Sequence, residues 1–178
     1  MHFIMVINQA ELENLIKRII ELTLKLQDEN KESNLLVLAG SDIDHLKKAL
    51  NCYEFENNVE YTIAVKEEQM ENKELGELIC SKGCNIVNIS KALNSQINYS
   101  KIIYLTMPRD ILAKCALCIS DVYETKLMKK AFEKGLNVVI AKNALEPFVG
   151  SEPESYKKRV LWYVRVLLEY GVQIKLNS

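Results

Sequence analysis

The sequence has few of the features that mark several common classes of protein. Its 178 residues include 23 Lys+Arg against 24 Asp+Glu, a net charge of −1. Without a basic excess, a dedicated nucleic-acid binder is disfavoured. No apolar run approaches the roughly 20 residues of a membrane-spanning helix, and the apolar start, residues 1–7, is shorter than a secretory signal. We therefore expect a soluble cytoplasmic protein with no membrane or nucleic-acid partner.

The number of cysteines argues against a disulfide framework, because it is small and odd. There are five of them, so reduced thiols are expected. Cys80 with Cys84, and Cys115 with Cys118, have spacings that a four-thiolate zinc site could use. The second pair, however, lies in an apolar helical stretch without the glycine-bearing turn of such sites, and free cysteines are commonly buried. We therefore predict no metal site.

The front of the chain differs in pattern from the remainder. Apolar residues recur at helical spacing over residues 8–28, which predicts an amphipathic helix. A polar stretch without apolar anchors, residues 27–34, follows and indicates a linker. We therefore divide the chain into a helix with its linker, residues 1–34, and an α/β domain, residues 35–178.

Strand and helix patterns alternate through the domain. Strands are predicted at 35–39, 61–65, 85–89, 101–106, 137–141 and 172–176. Helices are predicted at 42–50, 75–82, 90–97, 109–118 and 122–134, and a last long helix begins near Ser151 and ends at Tyr170. Residues 66–73 are assigned to a charged surface segment. Capping boxes are predicted at Asp121 with Glu124 and at Ser151 with Glu154. Because the strands are almost continuously apolar, we predict a three-layer α/β/α sandwich with a mainly parallel, Rossmann-like sheet.

A ligand of such a sheet binds beyond the carboxyl ends of the strands. Gly40-Ser41 directly follows the first strand, where backbone amides at a helix start could receive a phosphate. The alternative is that Ser41 or Asp42 only caps the helix. In addition, Asp42 and Asp44 would repel an anion unless their side chains point away. Both interpretations stay open.

The segment after the fourth strand carries a family resemblance. Pro108, the Ala113-Lys114 pair, Ala116, Ile119 and Asp121 resemble the pattern Pro-Ala-Ser-x-Asn-Thr-x-Ala-Lys-x-Ala-x-Gly-Ile-x-Asp. This pattern belongs to the flavoproteins that include phosphopantothenoylcysteine decarboxylase, lantibiotic cysteine decarboxylases and prenylated-flavin synthases. The sequence lacks the Asn and Thr of the pattern, is two residues shorter, and has Cys118 at the glycine position.

The resemblance extends along the chain. Residues 134–146 and 156–171 look like a subgroup of flavoprotein-like proteins found with ethanolamine utilization and other bacterial microcompartment systems. An amphipathic helix with a polar linker also resembles the targeting extensions of microcompartment proteins. The resemblance covers about residues 35–176. It implies a location inside a microcompartment and contacts of residues 8–28 with shell or enzyme partners.

The resemblance further implies an FMN site in a homo-oligomer. The phosphate, or that of another phosphate-bearing molecule, is expected near Gly40 and Ser41, and the ring near residues 106–109. The residues assigned to the cofactor are Gly40, Ser41, Ser90, Thr106, Met107, Pro108, Arg109 and Asn143. The family's active-site His has no counterpart at a strand end, since the histidines are His2 and His45, so decarboxylation is not predicted.

Two functions remain open at this stage. One is an FMN-binding, or formerly FMN-binding, accessory protein of electron transfer or maturation. The other is a non-catalytic scaffold on the same fold, with a decayed flavin pocket and its N-terminal helix as the docking element. The aromatic residues of the last long helix, Tyr156, Trp162, Tyr163 and Tyr170, are expected in the core or at a subunit interface.

Overall fold

A computed structural model describes residues 13–21, 32–94 and 99–175. The chain forms two compact units, Met1–Lys31 and Glu32–Ser178. In the first unit, residues 13–21 are helical (α1), which confirms the central part of the predicted helix; its remaining residues lie outside the described ranges. Leu15, Ile16 and Ile20 of α1 are 50%, 47% and 52% exposed.

The second unit contains one parallel sheet, as predicted. Its strands are β1 (Glu32–Leu38), β2 (Val59–Val65), β3 (Asn85–Asn88), β4 (Lys101–Thr106), β5 (Asn137–Ala141) and β6 (Gln173–Lys175). In the described residues they form a six-stranded sheet in the order β3-β2-β1-β4-β5-β6, and each neighbouring pair is parallel. The central strands are buried on both faces, which explains their continuous apolar sequence.

Helices connect successive strands. They are α2 (Ile43–Cys52), α3 (Glu67–Met70), α4 (Lys73–Ser81), α5 (Ile89–Asn94), α6 (Arg109–Ala116), α7 (Tyr123–Glu133) and α8 (Glu154–Glu169), with a 3-10 turn at Lys142–Ala144. Within the described ranges, none combines the length and the apolar character needed to cross a membrane.

The helices cover the two faces of the sheet unequally. On one face, here called the α2 face, α2 and α4 bury Leu46, Leu50, Leu75 and Ile79. Helices α5 to α8 contribute to the core on the opposite face. The three-layer α/β/α prediction is therefore confirmed.

Several element boundaries differ from the predictions by a few residues, and two polar segments differ in kind. β1 begins at Glu32, within the predicted linker, and its first residues pair with Val59 and Glu60 of β2. The predicted charged surface segment contains α3, and Gln69 within it is only 2% exposed. Neither feature has an apolar periodicity in the sequence.

Both predicted capping boxes are wrong. The Asp121 carboxylate lies 2.9 Å from Lys114 Nζ, and α7 is preceded by Val122, whose N–H donates to Thr125 Oγ1 at 3.3 Å. Helix α8 is preceded by Pro153 without a side-chain cap. The carboxylate next to it, Glu152, accepts from the N–H groups of Val149 and Gly150 at 2.9 and 2.8 Å. Neither predicted pair therefore caps its helix.

Candidate functional site: the cleft beyond β1 and β4

A polar cavity of about 330 Å³ lies beyond the carboxyl ends of β1 and β4. The strand order reverses here, since β1 has β2 on one side and β4 on the other. This is the switch point at which open α/β sheets bind ligands. The walls come from the turn after β1, the start of α2, Lys66, the first residues after β4, and Glu146.

The turn after β1 requires glycine. Gly40 has φ of +100°, and a Cβ built on it would lie 3.1 Å from Pro108 Cγ. A side chain would therefore be strained and would crowd the neighbouring turn. Gly40 and Pro108, both assigned to the site from the sequence, meet at this wall of the cavity.

Gln69 fixes the orientation of the Gly40 peptide. Its Nε2 donates to the Gly40 carbonyl at 2.6 Å, while its Oε1 accepts from the Lys66 N–H at 2.8 Å. One buried side chain thus joins the turns after β1 and β2. The sequence analysis missed Gln69 because it lies within a charged run, where no pattern distinguishes a buried amide from its exposed neighbours.

Asp42 caps α2, as one of the two interpretations of the Gly-Ser turn predicts. Its Oδ1 accepts from the N–H groups of Asp44 and His45 at 3.1 and 3.3 Å. Ser41 is exposed and lines the cavity. The cap therefore occupies two amides of the helix start, and Ser41 stays available to a ligand.

Lys66 supplies positive charge to the cavity wall. Its Nζ lies 3.2 Å from Glu124 Oε1, and the side chain of Glu124 is only 1% exposed. The buried carboxylate holds the ammonium group in place, because separating the two would leave a charge without a partner in the interior. The sequence analysis also missed Lys66, since its partner lies on α7, far along the chain.

His45 connects two cavities. It lines the cleft described above and an adjoining space of about 500 Å³ that also includes Asn143. The sequence analysis did not place His45 in the site, because it lies within the helix after the first strand and not at a strand end. The structure nevertheless places it at the wall of the cleft.

Two of the predicted site residues after β4 serve the framework. Thr106 is fully buried, and its Oγ1 donates to the Ala39 carbonyl at 2.7 Å. Met107 is also fully buried, and its N–H donates to the Ala144 carbonyl at 2.8 Å. These hydrogen bonds join the end of β4 to the ends of β1 and β5.

Arg109 contacts the loop after β5 instead of the cleft. Its Nη2 donates to the Pro147 carbonyl at 2.8 Å and lies 3.2 Å from Glu152 Oε1. The guanidinium group also lies over the Phe148 ring, 5.0 Å from its centroid. N–H groups of Val149 and Gly150, together with Arg109, lower the pKa of Glu152 to about 2. Arg109 therefore anchors a loop.

Ser90 lies after β3, separated from β1 by β2. Its N–H and Oγ both donate to Asn88 Oδ1, at 2.9 and 2.7 Å. It does not line the cleft, so of the eight predicted site residues the cleft brings together Gly40, Ser41 and Pro108, with Asn143 in the adjoining cavity.

The glycine position of the family pattern has a structural explanation. Cys118 occupies it with φ of +58°, the left-handed conformation that favours glycine. Its thiol donates to Tyr170 Oη at 3.6 Å, and that hydroxyl donates to the Ala116 carbonyl at 3.1 Å. In contrast, burial raises the pKa of the Cys115 thiol to about 12, so this thiol stays protonated at neutral pH.

Comparison with known proteins places the fold. Neither the protein-family models nor the curated proteins contain a match to the sequence. Among solved structures, a dodecameric FMN-dependent UbiX-like decarboxylase from Escherichia coli O157:H7 has a TM-score of 0.55 at 12% identity, covering 80% of this chain and 77% of that one. The fold is that of the Rossmann-like flavoproteins.

Two further structures agree. The FMN-binding protein AtHal3 has a TM-score of 0.55 at 13% identity, with 84% of this chain and 82% of that chain covered. The apo form of DmrB from Burkholderia xenovorans, described as a cubic protein cage for redox transfer, has a TM-score of 0.52 at 15% identity, with 83% and 89% covered.

Proposed function

We propose that this chain binds FMN, or a closely similar phosphate-bearing flavin, in the cleft beyond β1 and β4. The observation that carries the proposal is the position of Gly40, Ser41 and Lys66 around one cavity at the switch point of the sheet. Two of the similar structures are described as FMN-dependent or FMN-binding, which supports flavin over other phosphate-bearing molecules.

The groups around the cleft fit a phosphate at one end. Ser41 offers its hydroxyl and Lys66 its ammonium group, and both line the cavity. Three acidic residues line this cavity: Asp42, Asp110 and Glu146. Asp42 is the cap of α2, and Glu146 lies 3.7 Å from the Arg109 guanidinium. The negative charges of these two are therefore partly compensated.

The adjoining cavity provides space for a larger ligand. It measures about 500 Å³, and His45 borders both spaces, so together they lie in the size range of cofactor sites. A bound flavin would supply hydride or single-electron chemistry. The role of the protein is to fix the phosphate through Ser41 and Lys66 and to present His45 and Asn143 to the rest of the molecule.

We also propose that the chain forms a homo-oligomer. Helix α8 exposes large apolar side chains, with Leu161 at 57%, Trp162 at 43% and Leu168 at 48%. A group of this kind on one helix is typical of an interface. One similar protein is described as dodecameric and another as a cage, which supports self-association.

The proposed pathway rests on the sequence resemblance. A role in electron transfer or maturation within a microcompartment system, with residues 8–28 contacting a shell or enzyme partner, stays a prediction. The second candidate is the non-catalytic scaffold. Its support is that Thr106, Met107 and Arg109 are engaged in framework contacts, which reduces the flavin-binding surface on the β4 side.

The test is a titration of the purified protein with FMN and with riboflavin, followed by flavin absorption and fluorescence quenching. We expect saturable binding of FMN and much weaker binding of riboflavin, because riboflavin lacks the phosphate. Ser41→Ala and Lys66→Met should weaken FMN binding. Ser90→Ala is the matched control, since Ser90 does not line the cleft, and it should bind normally.

The outcomes separate the two candidates. No binding at excess FMN would reject the flavin proposal and favour the scaffold. Equal binding of FMN and riboflavin would reject the phosphate assignment to Ser41 and Lys66. If Ser90→Ala reduced affinity as much as Ser41→Ala did, the site would have to include the end of β3.

A further inference from the structure

A third cavity lies on the α2 face of the sheet. It measures about 410 Å³ and is bordered by β1, β4, β5 and β6 and by the loop before β2. Ile103 and Val139 line it and are 3% and 5% exposed. Neither predicted function uses this cavity, and it shares no residue with the flavin cleft.

The strand register places its polar residues on one face. Asn34 of β1 is paired with Lys101 of β4, and Val139 of β5 with Gln173 of β6. Because directly paired residues project to the same side of a sheet, these side chains surround one space. Glu56 and Lys175 complete the rim.

Asn34 is the unusual member of this set. It is 2% exposed, and its Oδ1 has no hydrogen-bond partner among the described residues. The next residues of β1 on this face, Leu36 and Leu38, are buried and apolar. A buried acceptor without a donor is costly, so Asn34 points to a donor supplied by a molecule in the cavity.

Two lysines and one carboxylate line the cavity, and each lysine has a carboxylate partner. Lys175 Nζ lies 2.6 Å from Glu56 Oε1, and Lys101 Nζ lies 3.0 Å from Glu32 Oε1. The hydrogen bond from Lys175 lowers the pKa of Glu56. Ion pairs that are this exposed contribute little to stability, so their members can turn toward a ligand at small cost. A ligand with balanced charge matches such a rim.

We propose that this cavity binds a small zwitterion with the chemistry of a free aliphatic amino acid. Its ammonium group donates to Asn34 Oδ1 and lies near the Glu56 carboxylate. Its carboxylate accepts from Lys101 and Lys175. The aliphatic chain packs on the apolar part of the cavity, and 410 Å³ is ample for a molecule of that size.

The test uses three probes with the same branched carbon chain on the full-length protein. They are L-leucine, isoamylamine, which lacks the carboxylate, and 4-methylpentanoate, which lacks the amine. The side-chain amide resonances of Asn34 are followed by NMR, and the thermal unfolding midpoint is measured in parallel. We expect a saturable shift of the Asn34 resonances and a raised midpoint with L-leucine. The affinity for either half-probe should be at least tenfold weaker.

Two asparagine variants distinguish a ligand site from a structural residue. Asn34→Leu should fold with an unfolding midpoint at or above that of the wild type, because it removes an unsatisfied acceptor, yet it should lose the response to L-leucine. Asn85→Leu is the matched control. Asn85 lies on the same sheet with its amide 2.9 Å from Glu60 Oε1, outside the cavity, and this variant should respond as the wild type does.

Lys175→Met provides a second test that does not alter the interior. It should weaken L-leucine binding without weakening the binding of isoamylamine, because the ammonium group lies near Glu56. The proposal is overturned if no probe produces a saturable shift in the wild type, or if Asn34→Leu still responds to L-leucine. Binding of isoamylamine as tightly as L-leucine would overturn the zwitterion assignment.

Discussion

The turns after β1 and β4 lie side by side at the same edge of the sheet, yet one lines the cleft and the other holds neighbouring loops in place. The turn after β1 keeps Ser41 exposed at the cleft, with Gly40 held by Gln69. The turn after β4 is engaged in contacts with other loops through Thr106 and Arg109. A residue at a switch point is therefore not a ligand contact by position alone. It must also have hydrogen-bonding groups that the fold has not already used.

The largest expected effect concerns Lys66, because this residue lines the cleft and also pairs with the buried Glu124 carboxylate. Lys66→Met should lower the free energy of unfolding by about 3 kcal/mol at pH 7, since the buried Glu124 carboxylate loses its partner. Urea unfolding measures this. Lys47→Met is the control, because its partner Glu74 is exposed, and it should change stability by less than about 1 kcal/mol.

A double variant sharpens the same point. Adding Glu124→Gln to Lys66→Met should recover much of the lost stability, because the unpaired charge disappears. If Lys66→Met were no more destabilising than Lys47→Met, the ion pair with Glu124 would not hold the cleft lysine in place.

Gly40 tests the contact between the two turns. Gly40→Ala should cost about 2 kcal/mol, because the residue has φ of +100° and its Cβ would crowd Pro108. Gly76→Ala is the control: Gly76 lies in α4, where an added Cβ would meet no atom of a neighbouring element within 4 Å, and alanine there should stabilise by about 0.5–1 kcal/mol. Thermal unfolding of the two variants should shift in opposite directions.

Thr106 and Ser41 should respond in opposite ways to loss of a hydroxyl. Thr106→Val leaves the Ala39 carbonyl without its donor and should cost about 1–2 kcal/mol of stability. Ser41→Ala should change stability by less than about 0.5 kcal/mol but weaken FMN binding. Unfolding and flavin titration of both variants check this. A large stability loss in Ser41→Ala would remove the distinction between the two turns.

The last comparison concerns the loop that Arg109 anchors. The pKa of Glu152 is lowered from 4.5 to about 2, chiefly by the Val149 N–H. Its contribution to stability is therefore complete above about pH 4.5 and is lost as the pH falls toward 2. Glu152→Gln should make the free energy of unfolding depend less on pH between about pH 2 and 4.5.

Arg109→Met should raise the pKa of Glu152 only in part, because the backbone N–H groups remain. An NMR titration of the Glu152 carboxyl measures the change. A return of this pKa to its ordinary value would mean that Arg109, rather than the loop backbone, holds the carboxylate.

The fold was predictable because its signals are local and repeated. Continuous apolar strands such as β4, separated by helical patterns, specify a parallel sheet between helices. The polar start of β1 could not be recognised, because Glu32 and Ser33 are strand residues only through pairing with β2. The Asp121 cap failed because its carboxylate pairs with Lys114, and the Ser151 cap failed because α8 begins only after Pro153.

The candidate site was predictable only where neighbouring residues in the sequence are enough to specify a turn. Gly40-Ser41 follows a strand directly, and both residues lie at the cleft. Lys66 and Gln69 were not predictable, because their roles depend on α7 and on the turn after β1. Nor does the sequence reveal that Arg109 turns toward Pro147.

The central place of β1 has a consequence for biosynthesis. The hydrogen bond from Thr106 to Ala39 spans 67 residues, so one edge of β1 waits for β4 while the intervening chain is made. Until then the apolar residues Leu35–Leu38, which are fully buried in the final fold, belong to a strand with an open edge. Such edges recruit other chains. We therefore expect the yield of native protein to depend on how quickly β4 follows β1 from the ribosome.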